Sequence, residues 1–444
     1  MGKQFFRRFH LNVFQIMVLG FAAVILLGTL LLMLPASSAE GTGTSFLDAL
    51  FTATTSVCVT GLVVQNTATY WSTFGHAVIL LLIQIGGLGV ITVTASFAML
   101  AGRKIGLFQR STMQEAVAAP KMGGVVQLTV FLLKTTFIIE AAGALLLAPS
   151  FIRDWGYGRG IWMAVFTSIS AFCNAGIDLL GVHMPYSSLT AYVDDPIVNI
   201  AVMLLILIGG LGFLTWDDIR THGIHVRKYR MQSKVILTAT GFLILIPALY
   251  LFFFELSHLP MEQRILASLF QAVTPRTAGF NTVDYTKFSE SGLVMTIVLM
   301  IIGGSPGSTA GGMKVTTFAV LLGCAAAVFR KRDSVQFYGR RVAQDVVFTA
   351  AALILLYTGL SVGSAMIISA YEGLPFLTSL FETASAVATV GLTLGATPEL
   401  GVLSKCILII LMYLGRVGGL TIIYATLTEK KQIGKLPLDK ITVG

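Results

Sequence analysis

Long apolar stretches alternate with short polar ones along nearly the whole chain. Stretches of about 20 residues or more are long enough to cross a bilayer as helices. They recur in pairs, with a shorter apolar segment between the two members of each pair. This pattern predicts four repeats, each with an outer helix, a short re-entrant helix and an inner helix. The predicted outer and inner helices lie at 11–34 and 77–100, 125–148 and 196–215, 235–254 and 292–329, and 346–369 and 403–427.

The four repeats divide the chain into parts of similar length, and such a fixed period indicates a repeated architecture. The expected repeats cover residues 1–100, 101–217, 218–329 and 330–444, the last with a cytoplasmic tail. Their pore motifs are expected at 46–61, 161–176, 262–279 and 375–391. The predicted fold is therefore an all-α polytopic membrane protein. It would have about eight transmembrane helices and four re-entrant pore helices around one pseudo-fourfold pore.

Each pore motif ends in a tripeptide whose last residue is glycine. The glycine follows a phenylalanine by ten residues in repeats one, two and four and by nine in repeat three. Glycine adopts backbone conformations that turn successive carbonyl groups toward one axis, and carbonyl oxygens replace the hydration shell of potassium in selectivity filters. The predicted filter segments, and with them the potassium site, are Val59-Thr60-Gly61, Asn174-Ala175-Gly176, Thr277-Ala278-Gly279 and Thr389-Val390-Gly391.

A single glycine at such a place would more often simply end a buried helix. Four glycines in register favour a filter instead. Only repeat four carries a full Thr-Val-Gly, which predicts an asymmetric ring with one or two well-formed ion sites.

Repeat three differs from the others in the middle of its predicted inner helix. Residues 303–313 are rich in glycine and contain Pro306, and in a helix interior glycine costs about 1 kcal/mol and proline about 3 kcal/mol. Irregular backbone at this depth usually lines a cavity or pathway, so the segment is predicted to be an intramembrane gate. An unbroken helix with a glycine packing face is the alternative. The predicted gate residues are Gly303, Gly304, Ser305, Pro306, Gly307, Ser308, Thr309, Ala310, Gly311, Gly312 and, in repeat four, Arg416.

A charged side chain within a predicted span is a candidate for function. Arg416 is expected to form a positive barrier to cations and to bond carbonyl groups of the loop; snorkelling to the cytoplasmic face is the alternative. Lys134 and Glu140 are interpreted as a structural pair or a subunit contact, and Glu382 as an anchor of the fourth short helix. Glycine pairs at Gly86-Gly87, Gly209-Gly210, Gly303-Gly304 and Gly418-Gly419 predict close packing of the inner helices around one axis.

Composition agrees with a membrane protein, since 55% of the residues are hydrophobic and only 11% are charged, against about 25% charged in soluble domains. The first stretch is too long for the core of a secretory signal. In a membrane protein, a net charge of +9 is explained by an excess of Lys and Arg in the cytoplasmic segments. The positions of these residues predict that both termini are cytoplasmic and that the filters face outward. The four cysteines form no CxxC motif. No catalytic motif is present, so an enzyme is not expected.

With the filters, the broken third inner helix and Arg416 in view, the chain resembles the membrane subunit of a Ktr-type potassium uptake system, in the Trk/Ktr/HKT superfamily. The resemblance covers nearly the whole chain. It implies a glycine in each filter, a gating loop in repeat three and an arginine in the fourth inner helix, which correspond here to Gly61, Gly176, Gly279 and Gly391, to residues 303–312 and to Arg416. Family members with serine at the first filter glycine tend to pass sodium, so by this resemblance Gly61 favours potassium.

The resemblance also implies a homodimer in a bacterial cell membrane, on a cytoplasmic ring of regulatory subunits, with sodium stimulating uptake. ATP, ADP or NAD would bind those partners, because this chain has no nucleotide motif. Basic loops at 220–234 and 330–341 are candidates for docking the ring, although the bias of positive charge toward the cytoplasm explains them equally well.

The main alternative is a secondary cation transporter coupled to sodium or protons. Such proteins usually have two inverted repeats and ionisable residues at the membrane midplane, whereas this chain has four parallel repeats and few such residues. A membrane-embedded enzyme would need a constellation of His, Asp or Ser that the sequence lacks.

Overall fold

The computed structural model describes residues 12–90, 92–93, 107–116 and 124–426. The predicted cytoplasmic N-terminus, the end of the first inner helix beyond residue 93 and the C-terminal tail lie outside these residues. Within them the regular structure is helical, apart from an antiparallel hairpin of two short strands, Gln336–Phe337 and Arg340–Arg341. The predicted class, an all-α polytopic membrane protein, is confirmed.

The four outer helices are the longest elements. They span Val13–Leu32, Val125–Trp155, Met231–Tyr250 with a π-helical continuation at Leu251–Glu255, and Gln344–Glu372. Each is long and apolar enough to cross a membrane. The first begins at a capping box, in which Asn12 and Gln15 satisfy each other's backbone N–H groups. Large apolar side chains such as Leu145 and Leu355 are exposed on these helices, which suits a surface that faces lipid.

The four short helices lie deeper in the molecule. They span Phe46–Val57, Tyr157–Phe172, Met261–Val273 and Phe376–Val387. The phenylalanines that set the spacing in the sequence, Phe51, Phe166, Phe270 and Phe381, are all fully buried. Each buried aromatic ring contributes a large apolar contact area. These side chains therefore fix the depth and the rotation of the short helices within the molecule.

The four inner helices span Thr73–Leu88, Pro196–Gly210, Glu290–Ile302 and Val402–Val417. Ser72, Asp195 and Ser289 cap the first three with side-chain hydrogen bonds to the first turn. At the fourth, the Glu372 carboxylate accepts from the Gly401 N–H at 2.8 Å.

The predicted inner helices were too long, because each breaks at a glycine. Gly89, Gly212 and Gly418 have φ angles of 85°, 89° and 92°, which a right-handed helix cannot contain. The helix predicted at 196–215 is two helices, with Phe213–His222 bent by 98° from the first part. The one predicted at 403–427 resumes as Gly419–Thr426.

The third inner helix also ends at a glycine, Gly303, whose φ is 57°. The chain stays irregular through residue 314 and then forms Val315–Phe329. These breaks explain why only four helices of the described residues, or five with the bent pair joined, pass as single spans.

The repeats are arranged in a closed order. The inner helix of each repeat packs against the short helix of the next, and the inner helix of repeat four packs against the short helix of repeat one. Hydrogen bonds join the ends of the cycle, from the Tyr413 hydroxyl to the Val18 carbonyl at 2.6 Å and from Gln15 to the Ala425 carbonyl at 3.1 Å. The remaining elements are the short α-helices Thr67–Tyr70 and Leu107–Ala116 and the 3-10 turns Pro35–Ser37, Thr190–Tyr192, Val226–Lys228, Tyr285–Lys287 and Thr397–Glu399.

Candidate ion pathway

The segments that follow the four short helices meet in one ring. The glycine of each segment lies against the next repeat, beside the carbonyl group of the residue that precedes the glycine there. A Cβ added to any of the four glycines would touch that carbonyl oxygen. The contacts run from Gly61 to Ala175, from Gly176 to Ala278, from Gly279 to Val390 and from Gly391 to Thr60, which closes the circle. In the first three, the Cβ would lie 2.5 to 2.6 Å from the oxygen. A side chain at any of these glycines would therefore overlap the neighbouring repeat.

The backbone of each segment has an unusual conformation that turns its carbonyl groups. The residue two before the glycine has a positive φ in all four repeats, at 56° in Val59, 59° in Asn174, 69° in Thr277 and 53° in Thr389. This conformation costs an L-residue about 1 to 2 kcal/mol, and such strain persists only where the surrounding structure enforces it. Backbone strain at the same register in four repeats indicates a shared geometric requirement.

A buried hydroxyl group forms hydrogen bonds to the backbone of each segment, a feature that was not predicted from the sequence. Thr55 and Ser385 accept from the N–H groups of Gly61 and Gly391, both at 3.0 Å. Ser170 bonds both backbone groups of Ile177, and Thr274 donates to the Phe280 carbonyl. The signal was present, because a Ser or Thr precedes each filter glycine by six residues, or by five in repeat three.

The irregular segment 303–314, here called the repeat-three loop, lies against the breaks of the neighbouring inner helices. Its N–H groups at Ser305 and Thr309 donate to the carbonyls of Gly210 and Gly209, at 3.1 and 3.3 Å, and that of Gly312 donates to Gly415 at 3.1 Å. No helix is formed here, so an unbroken helix with a glycine packing face was the wrong alternative.

Two cationic side chains hold the repeat-three loop. The Lys314 ammonium donates to the carbonyls of Ala310 and Gly311 at 2.8 and 3.1 Å. The Arg416 guanidinium donates to the carbonyl of Thr309 and, on its other side, to those of Gly86 and Gly87, the last at 3.1 Å. Arg416 thus ties the loop to the inner helix of repeat one.

The glycine pair predicted for repeat four, Gly418-Gly419, lies three residues after the position that corresponds to the pairs of repeats one and two. Gly86, Gly209 and Gly415 occupy equivalent places, because the Cβ position of each touches the carbonyl of the last residue of its own repeat's short helix. The first two are followed by glycine and the third by Arg416. These glycines therefore let an inner helix approach the end of a short helix, and the arginine replaces the second glycine of the pair.

Lys134 and Glu140 do not form the proposed structural pair. Lys134 is exposed, whereas Glu140 is buried and accepts hydrogen bonds from Gln84 at 3.0 and 3.2 Å and from the Cys173 thiol. Six residues along a helix place two side chains on different faces, since one turn takes 3.6 residues.

Glu382 has the contacts expected of an anchor. It is fully buried, and its carboxylate accepts from the Thr393 and Thr397 hydroxyls, both at 2.5 Å, and from the Leu394 N–H at 2.9 Å. The carboxylate thereby ties the segment beyond the fourth filter glycine to the fourth short helix.

The ligand chemistry of the ring is that of backbone oxygen. Within the described residues no group of three or more His, Cys, Asp or Glu could hold a metal ion. Thr60 and Thr389 lie in the filter segments of repeats one and four, which contact each other where the ring closes. Their buried hydroxyl groups have no hydrogen-bond partner among the described residues. Neutral oxygens of this kind suit a monovalent cation that must bind and leave.

Four re-entrant segments that converge inside a helical membrane protein define a membrane transport protein, and the comparisons with known proteins agree. The family described as TrkH, cation transport protein, matches residues 6–433. The potassium/sodium uptake protein NtpJ of Enterococcus hirae is 38% identical, over 98% of both chains. The Ktr system potassium uptake protein B of Bacillus subtilis is also 38% identical, over 97% of this chain and 96% of its own.

The fold has a counterpart among solved structures. The potassium transporter TrkH of Vibrio parahaemolyticus superposes with a TM-score of 0.73 at 21% identity, over 93% of this chain and 84% of its own. The chain belongs to the TrkH family of cation transport proteins, as a membrane subunit of the Ktr type. It is a multi-pass membrane transporter and not an enzyme.

Proposed function

We propose that this protein takes up potassium across the bacterial cell membrane through a selective, gated, channel-like pore. The observation that carries the proposal is the closed ring of Gly61, Gly176, Gly279 and Gly391, with the carbonyls that each glycine contacts in the next repeat. Relatives named as potassium and potassium/sodium uptake proteins support the same substrate class.

Selection among cations is assigned to the predicted filter residues. Their carbonyls replace the water around a partly dehydrated ion, and the glycines allow the four segments to approach within contact distance. The first filter position carries Gly61, and the resemblance to the family associates this residue with potassium rather than sodium.

Control of the pore is assigned to the repeat-three loop and Arg416. The loop is held by carbonyl contacts from three sides, and Arg416 places a positive charge beside it. Such a charge opposes cation passage. Uptake is further proposed to be stimulated by sodium and controlled by a cytoplasmic ring that binds ATP, ADP or NAD, with this chain as a homodimer and both termini in the cytoplasm.

The test is cation flux in liposomes that contain the purified protein, together with growth of a bacterium that lacks its own potassium uptake. We expect rubidium uptake that potassium inhibits more strongly than sodium does, and rescue of growth at low potassium when the partner subunit is co-expressed. Gly61→Ser should narrow the preference for potassium over sodium. A protein that is folded but catalyses no flux of either cation contradicts the proposal.

The buried carboxylate of Glu140 favours a second candidate, a secondary cation transporter coupled to sodium or protons, because an ionisable group within the membrane is typical of such proteins. The two functions differ in what drives the flux. In a channel-like pore, rubidium uptake follows the electrochemical gradient of rubidium itself and needs no sodium or proton gradient. In a coupled transporter it stops when the sodium and proton gradients are removed, and Glu140→Gln abolishes it.

A further inference from the structure

Thr309 is the residue by which the repeat-three loop contacts the end of the second short helix and the predicted filter of repeat two. It is fully buried, and all of its polar groups are bonded. Its N–H donates to the Gly209 carbonyl, and its hydroxyl lies 3.1 Å from the Phe172 carbonyl and 3.3 Å from the amide oxygen of Asn174. Its own carbonyl accepts from Arg416. The loop cannot move away from the ring without breaking these bonds.

The side-chain amide of Asn174 contacts both the repeat-three loop and repeat three's filter region. Its side-chain oxygen accepts from Thr309, and its side-chain nitrogen lies 3.3 Å from the carbonyl of Arg276 and 3.4 Å from the hydroxyl of Thr277. Arg276 directly precedes the predicted filter of repeat three, and Thr277 is the first residue of that filter. One fully buried amide therefore connects the repeat-three loop with two of the four filter segments.

The other repeats show that an amide is not needed for the backbone. The equivalent positions are Val59, Thr277 and Thr389, and all have the same left-handed conformation as Asn174. Valine and threonine thus fit this backbone in the sibling repeats. Asparagine occurs in repeat two, where the side chain at this position contacts the repeat-three loop. We therefore expect the amide group itself to have a function.

We propose that Asn174 is a positioning residue that couples the repeat-three loop to the filter. This rests on the proposed function, in which the loop is the gate. With the loop in place, Thr309 holds the Asn174 amide, and the amide holds the backbone at Arg276 and the Thr277 hydroxyl. When the loop leaves, the amide loses one of its anchors and the repeat-three carbonyls are less constrained. Cation selectivity therefore depends on the position of the gate.

The experiment compares single and double variants in proteoliposomes, with two measurements for each. Thr309→Val and Asn174→Val remove the hydrogen bond from either side, and Thr309→Ser keeps the hydroxyl. Thr240→Val removes a buried hydroxyl that has no hydrogen-bond partner in the described residues and serves as the matched control. The measurements are the initial rate of rubidium uptake and the ratio of the initial rates of sodium uptake and rubidium uptake. Size-exclusion profiles verify folding.

We expect Thr309→Val to raise the uptake rate about two- to tenfold, as loss of one hydrogen bond would, and also to lower the preference for potassium over sodium. Asn174→Val removes the bond to Thr309 together with those to Arg276 and Thr277, so its effects should be in the same direction and at least as large. The double variant should not exceed Asn174→Val, because the bond between Thr309 and Asn174 is already absent in that single variant. Thr309→Ser keeps the hydroxyl, so both of its measurements should lie closer to those of the unaltered protein than the measurements of Thr309→Val do. Thr240→Val should behave as the unaltered protein.

The coupling is refuted if Thr309→Val changes the rate but leaves the selectivity unaltered, or if the effects of the two single variants multiply in the double variant. The Thr309 variants decide the matter even if Asn174→Val fails to fold, since Thr309 lies outside the filter. Absence of cation uptake by the unaltered protein would instead overturn the proposed function, and the coupling with it.

Discussion

Replacement of Arg416 by glutamine is the sharpest test of the proposed gate. The guanidinium bridges the Thr309 carbonyl in the repeat-three loop and the carbonyls of Gly86 and Gly87 in the first inner helix. Glutamine is shorter and uncharged, so it cannot span both sides. The loop then loses its bond to repeat one, and the pathway loses a positive charge.

The size of the effect follows from these contacts. A hydrogen bond to a charged group contributes about 1.5 to 3 kcal/mol, and of the bonds that Arg416 makes only the one to Thr309 is made to the loop. Its loss changes the ratio of closed to open loop by about 10- to 150-fold at about 1.4 kcal/mol per factor of ten. Removal of the charge acts in the same direction, since a cation near a fixed positive charge is repelled.

The assay is rubidium uptake into proteoliposomes at equal protein content. Arg416→Gln should raise the initial rate at least about tenfold if the loop limits uptake, from the lower bound of that range. Arg416→Lys keeps the charge but loses the planar fork that bonds two sides at once, so its rate should be intermediate. Arg332→Gln, at an exposed site, is the control. A rate for Arg416→Gln within twofold of the unaltered protein, with normal folding, would refute the gate.

Three further changes test other parts of the ring and its support. Gly391→Ala should reduce uptake at least about tenfold in the same assay, because its Cβ would overlap the Thr60 carbonyl at a φ of 93° and the strain alone costs about 1 to 2 kcal/mol; normal uptake would show that the ring tolerates a wider spacing. Deletion of residues 305–311 should raise flux, and an unchanged rate would exclude the loop as a barrier. Phe381→Ala should cost about 3 to 5 kcal/mol of stability and lower the yield of monodisperse protein, whereas Phe254→Ala, 70% exposed, should not.

The helix types and the filter register were predictable from sequence because both depend on local patterns. An outer helix is apolar over about 20 residues whatever its neighbours are, and each filter glycine is marked by a phenylalanine ten residues earlier, or nine in repeat three. The hydroxyls Thr55 and Ser385 could have been found in the same way, since they recur at fixed spacing. The roles of the filter, the gate and the cytoplasmic partner remain predictions for the experiments above.

The inner helices were harder to predict because their breaks depend on what lies beside them. Gly89, Gly212 and Gly418 look like ordinary glycines in apolar helices, where each would cost only about 1 kcal/mol. Each lies three residues after a glycine that packs against the end of a short helix, namely Gly86, Gly209 or Gly415, and Gly212 also lies against the repeat-three loop. Local propensity does not contain this information.

What the sequence by itself determined is therefore the list of elements and their fourfold repetition, because hydrophobicity and glycine spacing act within about 20 residues. Only the tertiary structure decided which residues of different repeats contact one another. Glu140 is paired with Gln84 and not with Lys134, Arg416 reaches a loop more than 100 residues earlier in the chain, and Asn174 lies between that loop and a neighbouring filter segment. These contacts arise when four repeats close around one axis, and closure brings together residues that no local pattern relates.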